Sequence, residues 1–272
     1  MIRLGLKVDV TTSRGARIGV PRLMELLSRH GSGATFFFAL GPERLLHRSW
    51  LPGPELGRRA RLLREVRDAG FEAGIQAFDP VRWMERSGDA DQVWTREQME
   101  NACASFMRVF GVAPQAHAAS GWRMNRHAWR LTQRLGFRYG SDTRGLCPYI
   151  PVRNAEIVAC PQLPTTLPTF EEIVARDDIR PEEAVGAVLR ASAEPPLAGH
   201  VFSMRAEWEG LHYTPLLDEL LAGWRAQGYT LTALQDFLVD VNLARLPRHS
   251  VVEGTLPGRT QPVALQGDEF LS

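Results

Sequence analysis

The sequence holds three cysteines in 272 residues, Cys103, Cys147 and Cys160, and none of them forms a C-x-x-C pair. An odd, widely spaced set excludes a disulfide framework and suits a reducing compartment. A thiol nucleophile would need a neighbouring base, and spacing nominates none. Cys103 falls on the apolar face of a helix and reads as core, whereas Cys147 follows a turn at Arg144-Gly145. Histidine is also scarce. His30, His47, His117, His127, His200, His212 and His249 include no pair three or four residues apart, so no helix carries two imidazoles on one face. No apolar run reaches the length of a membrane span, and no apolar segment with a basic flank opens the chain, which points to the cytoplasm. A net charge of +1 gives no bulk attraction to nucleic acid. Internal repeats and low-complexity segments are lacking.

What remains is an ordinary globular composition, 44% hydrophobic and 23% charged, enough for one large core. Apolar runs predict strands at residues 2–10, 34–40 and 72–78, near Ala116, around Tyr139, and at 200–204 and 229–231. Between them lie helical patterns. Val20, Leu23, Met24 and Leu27 share a face, and Leu62, Leu63 and Val66 mark a helix over 55–69. Thr95 reads as the cap of a helix running to Phe110, and Gly111 as its stop. Helices are expected from Asn125 to Leu135, from Pro181 to about Ala193, from Pro215 to Gln227, and over 232–243. Seven or so strand–helix units argue for an α/β barrel over 1–245, with chemistry at the carboxyl ends of its strands. Residues 246–272, rich in Pro and Gly, read as a loop-like segment wrapping the barrel, its last residues disordered.

Several blocks carry more than periodicity. Lys7-Val8-Asp9-Val10-Thr11-Thr12-Ser13-Arg14-Gly15 opens the chain, followed by Gly19-Val20-Pro21-Arg22-Leu23 and by Thr35-Phe36-Phe37-Phe38 with Gly41-Pro42. Further on come Ala118-Ala119-Ser120-Gly121-Trp122-Arg123, Ser141-Asp142-Thr143-Arg144-Gly145, Leu163-Pro164-Thr165-Thr166-Leu167-Pro168-Thr169 and Ala206-Glu207-Trp208-Glu209-Gly210. In this order they resemble the polysaccharide deacetylase superfamily, and within it the aminoarabinose-branch deformylases that act on an undecaprenyl-phosphate-linked formamido sugar. The resemblance implies a distorted, incomplete (β/α) barrel of about seven strands.

It also implies a reaction. A divalent metal, usually zinc, is held by an Asp and two His, a second Asp takes a proton from the activated water, and a late His protonates the leaving amine. Matched residue by residue, the base is Asp9. The metal-ligand Asp falls on Thr11, the two His on Gln76 and Pro80, and the late His on Arg205. A hydroxyl and an amide oxygen are poor zinc ligands, proline has no donor, and a guanidinium neither coordinates a cation nor gives up its proton near neutral pH. No metal or other cofactor is therefore expected, zinc or another divalent ion entering only if an altered hydrolase survives.

Electrostatics suggests that Arg205 pairs with Asp9 in the metal's stead, with Arg123, the family's partner of the base, as a second flanking guanidinium. Asp142 joins Asp9, Arg123 and Arg205 as a candidate in the chemistry. Arg14, Arg144, Glu207, Trp122 and Asp79 are candidates for ligand binding in a basic pocket. As ordinary structural residues, Asp9 would be a cap or an ion-pair member, Arg123 and Asp142 a pocket-wall ion network, and Glu207 and Glu209 solvation for a strand end. A relocated oxygen-rich metal site built on His117 with Asp9, Asp79 and Glu207 is an alternative.

The leading functional expectation is a catalytically degenerate relative that binds a sugar, a phosphate or an acylated ligand, or that modulates an active paralogue in cell-envelope glycan or lipid A modification. Set against it are an amide hydrolase with an altered metal site or none, and a partner-binding module. The long apolar insertion of the lipid-linked-sugar deformylases is shortened here to His47-Arg48-Ser49-Trp50-Leu51-Pro52-Gly53. With the basic residues Arg58, Arg59, Arg61 and Arg64 after it, this leaves at most a weak peripheral contact with the inner membrane.

Overall fold

The computed structural model describes residues 2–41, 54–175, 180, 183–239 and 241–270. The expectations for the shortened insertion and for Arg58 and Arg59 lie outside the described residues or side chains. Arg61 is exposed beside Glu65, while Arg64 donates to the Val109 carbonyl.

Ile2–Val10 (β1) is the spine of the molecule. Side chains alternate along a strand, so Leu4, Leu6, Val8 and Val10 pack into the layer shared with the helices. Gly5, Lys7 and Asp9 face the barrel interior. Thr35–Phe38 (β2), Glu72–Ile75 (β3), Ala116–His117 (β4) and Tyr139–Gly140 (β5) follow. Ile150–Arg153 (β6) and Glu156–Ile157 (β7) belong to a second sheet, and His200–Arg205 (β8) and Tyr229–Thr232 (β9) return to the first. The main sheet is parallel and seven-stranded, in the order β5-β4-β3-β2-β1-β8, with β9 paired to the first half of β1. It does not close by strands alone. Residues 161–167 cross the gap between β5 and β8, bonding to Gly140 on one side and Val201 on the other. The barrel is thus distorted and incomplete, with seven strands.

The helices cover the outer face. They are Val20–Arg29 (α1), Pro54–Asp68 (α2), Pro80–Arg86 (α3), Gln92–Phe110 (α4), Arg126–Arg134 (α5), Phe170–Val174 (α6), Ala184–Ala191 (α7) and Thr214–Ala226 (α8). Three of the largest fully buried side chains, Trp83, Trp129 and Trp224, lie under this layer. Trp83 and Trp224 satisfy their indole N–H groups on the Arg123 carbonyl and Ser192 Oγ, so their burial leaves no donor stranded.

Alternation on β2 separates two apolar clusters. Phe36 and Phe38 meet the helices, whereas Phe37 joins Ala116, Tyr139, Val201, Leu234 and Phe237 inside the barrel. Leu234 and Phe237 come from a short 3-10 turn, Leu234–Leu238, that plugs the floor. Gly5 makes room for it, since a Cβ there would lie 2.7 Å from Leu234 and 2.9 Å from Phe237.

Three expectations need correction. The cap of α4 is Asp91, which accepts from Trp94 N at 2.8 Å; Thr95 is fully buried, with its hydroxyl on the Asp91 carbonyl and on Asn125. The helix expected over 232–243 is reduced to the 3-10 turns Leu234–Leu238 and Leu243–Arg245, because Leu234 and Phe237 must reach the barrel floor. The segment beyond 246 is not a loop. Arg248–Gly254 (β10) and Val263–Glu269 (β11) form an antiparallel hairpin on β6, with Pro257, Gly258 and Pro262 in its turn; residues 271 and 272, expected to be disordered, lie outside the described residues.

Candidate functional site

Above the floor, the inward side of β1 rises as Gly5, Lys7, Asp9 and then Thr11, a ladder from apolar plug to charge to hydroxyl. At its top opens a cavity of about 410 Å³ lined by Asp9, Thr11, Gln76, Pro80, Trp122 and Arg205 among others. The positions matched to the base, the three metal ligands and the late His therefore converge on one space. Their chemistry does not fit a zinc ion. Gln76 hydrogen-bonds Asp9 and accepts weakly from Ser120 Oγ at 3.4 Å. Thr11 Oγ1 is buried without a partner among the described residues. Pro80 serves as the first residue of α3. Among the described residues no group of three or more His, Cys, Asp or Glu side chains could hold a metal ion.

The expected Asp9–Arg205 pair does not form. Asp9 and Arg205 are register partners on β1 and β8, but the Arg205 guanidinium reaches past the carboxylate to Glu171 Oε1 at 3.5 Å. Arg123 does not flank Asp9 either; it donates to Ser87 Oγ at 3.4 Å and to Gln261 Oε1 at 3.0 Å. The cation within ion-pair distance of Asp9 is Lys7, whose Nζ lies 3.8 Å from Oδ1. Lys7 is fully buried, donates to the Ser141 carbonyl at 2.9 Å, and lies over the rings of Trp122 and Phe37. Burial pushes the Asp9 carboxyl up and the Lys7 ammonium down, each only partly offset by the charge of the other.

Lys7 is also the only lysine in the sequence. A lysine inside an apolar strand reads as noise until period-2 alternation sets it two residues below Asp9. An amine-reactive reagent should accordingly leave residue 7 unlabelled in the native chain and label it in denaturant; peptide mass mapping would show labelling under native conditions if the side chain were accessible.

Asp142 lies outside this cavity. Fully buried, it accepts from His117 Nδ1 at 2.7 Å, Ala119 N at 2.8 Å and Gln162 Nε2 at 3.0 Å. His117 is thereby a member of a wall network, stacked on Phe137, and not part of a relocated metal site with Asp9, Asp79 and Glu207. Asp79 caps α3 through Arg82 N at 3.0 Å and is not among the cavity-lining residues. Arg14 is exposed at the start of the π-helical turn Gly15–Gly19. Glu207 turns its Oε1 onto Thr11 N, Thr12 N and Thr12 Oγ1, at 2.9, 2.8 and 3.0 Å, and so ties the end of β1 to the loop after β8.

Trp122 does face the cavity, in a left-handed conformation (φ 54°) that turns its indole toward Arg144, 5.1 Å away, and Arg259, 4.5 Å away. Arg144 itself is held by Glu172 at 3.2 Å. The pocket is not basic as expected. Its lining carries Asp9, Glu85, Glu171 and Glu209 against Arg205 and Arg259.

Sequence reasoning took Glu209 as solvation for a strand end, which its burial corrects, and did not single out Arg259. Glu209 is 3% exposed, because the chain turns sharply after β8 and folds it back so that Oε2 accepts from Arg205 N at 2.8 Å. Burial, opposed by hydrogen bonds from the backbone N–H groups of Arg205 and Glu209, pushes its carboxyl up to about 7. Arg259 arrives on the turn of the C-terminal hairpin.

No family model matches the chain. A probable 4-deoxy-4-formamido-L-arabinose-phosphoundecaprenol deformylase ArnD from Shewanella sediminis is 30% identical over 250 residues, covering 80% of each chain. Among solved structures, one from Mycobacterium smegmatis assigned as a polysaccharide deacetylase matches with a TM-score of 0.68 at 20% identity, over 93% of this chain and 94% of that one. A CE4 family pseudoenzyme from Bacillus anthracis matches with a TM-score of 0.57 at 16% identity, over 91% and 69%. These structures share the fold, and the sequence relative shows that the chain belongs to the ArnD-type deformylase family.

Proposed function

We propose that this protein is a catalytically degenerate member of its family, whose cavity binds a sugar- or phosphate-containing ligand without hydrolysing it. The observation that carries the reading is the joint replacement of four reactive positions inside one cavity, with Arg205 turned away from Asp9 to Glu171. Loss of a general acid alone lowers a rate by roughly a hundred- to ten-thousand-fold, and loss of a Lewis acid adds to that. The deformylase relative supports a place in cell-envelope glycan or lipid modification, either by binding such a ligand or by modulating an active paralogue. Among the described residues no helix is long and apolar enough to cross a membrane.

A second reading, an amide hydrolase on a formamido or acetamido sugar with an altered metal site or none, draws on one observation. Asp9 and Glu209, a carboxyl titrating near neutrality, line the same cavity.

Metal analysis and an amide-hydrolysis assay on formamido and acetamido sugars separate the two. The native chain is expected to carry substoichiometric zinc and to show background hydrolysis. Thr11→Asp, Gln76→His, Pro80→His and Arg205→His combined should bind zinc and gain activity. Turnover by the native chain that Asp9→Asn abolishes would refute the binding reading.

A further inference from the structure

The two guanidinium groups of the cavity wall reach it from two separate segments of the chain. Arg205 ends β8, and Arg259 lies on the turn between β10 and β11. Glu171 stands between them, 3.5 Å from Arg205 Nη1 and 3.7 Å from Arg259 Nη2. Both contacts are long, and the side chains of Arg205 and Glu171 keep 37% and 36% of their surface exposed. Arg259 is better fixed. Its Nε donates to Glu172 Oε1 at 2.9 Å and its plane lies over Trp122, so its Nη groups are directed by partners other than Glu171.

A guanidinium presents five donors in a rigid fork matched to carboxylate and phosphate oxygens. Here two such forks, one of them locked, share a single loosely held carboxylate at the edge of a cavity. Trp208 in the same lining offers a flat apolar face of the kind that packs against a sugar ring.

We propose that Arg205 and Arg259 form an anion-recognition subsite for the phosphate or carboxylate group of a sugar ligand, with Glu171 as the internal anion that this group displaces. The late-His position has become half of a binding fork, and the C-terminal hairpin supplies the other half. The subsite deepens the binding reading and rests on it. Amide turnover would end that reading without altering the effects of Arg259 and Glu171 substitutions, so the two failures are distinguishable.

Calorimetric titration with glucose 6-phosphate, glucuronate, inorganic phosphate and glucose tests the subsite. The anionic sugars should bind at least about tenfold more tightly than glucose, and added salt should weaken them. Tighter binding of the phosphate ester or of glucuronate identifies which oxyanion is taken, and binding by inorganic phosphate alone gives the subsite without the sugar. Arg205→Met and Arg259→Met should each weaken binding by about tenfold, Arg259→Lys by less, and Glu171→Gln should strengthen it several-fold as the competing carboxylate is lost. If Arg259→Met does not fold, Arg205→Met and Glu171→Gln decide. Equal affinity for glucose, no change in Arg205→Met, or weaker binding in Glu171→Gln would overturn the proposal.

Discussion

Glu209→Gln is expected to leave stability near pH 4 almost unchanged and to raise it by about 3 kcal/mol at pH 8. The carboxyl of Glu209 titrates at about 7 in the folded chain against an ordinary value of 4.5. Between those values the unfolded chain has released the proton while the folded one keeps it. Stability therefore falls as pH rises through this window and levels off above it, by about 1.4 kcal/mol for each pKa unit. Glutamine stays neutral throughout and retains an oxygen for Arg205 N, so it removes the slope and keeps the hydrogen bond. Urea midpoints of both proteins at pH 4, 6 and 8 measure the effect. Parallel pH profiles would show that Glu209 ionises in the native state as freely as in the unfolded chain.

The second large effect is expected at Asp142→Ala, a loss of about 3–5 kcal/mol. Three donors converge on this fully buried carboxylate, and it also contributes negative charge toward Lys7. Alanine strands the His117, Ala119 and Gln162 donors in the buried wall between β4 and β5. It also leaves the buried Lys7 ammonium with less compensation. Thermal and urea unfolding would register the loss. A change below about 1 kcal/mol would mean that the donors find other partners. Because Asp142 does not line the cavity, ligand affinity measured on the folded fraction should be preserved.

The barrel was legible because its strands are short apolar runs separated by amphipathic stretches, and the placement of Asp9, Gln76 and Arg205 at strand ends followed from that spacing. Side-chain reach was not legible. Arg205 lies beside Asp9 in register, yet its length lets it choose Glu171, a residue 34 positions earlier whose proximity depends on α6 packing against the mouth. Asp79 and Glu209 show the same limit at close range. Each follows a strand, but one chain segment turns into a helix that needs a cap, whereas the other doubles back and buries its carboxyl. The hairpin at 248–269 escaped notice because each strand has few buried residues, Val251 on one and Val263 and Ala264 on the other. β10 also docks on β6, about a hundred residues earlier in the chain, which no local pattern records.

That hairpin gives the molecule a division of labour. The barrel ladder from Gly5 to Asp9 is fixed by close packing and cannot drift without disturbing the floor. The turn carrying Arg259 and Gln261 lies outside that ladder and reaches the mouth through these two side chains. Changes in what the cavity admits can therefore accumulate in a handful of C-terminal positions, and selection for a new ligand need not compete with selection for a foldable core.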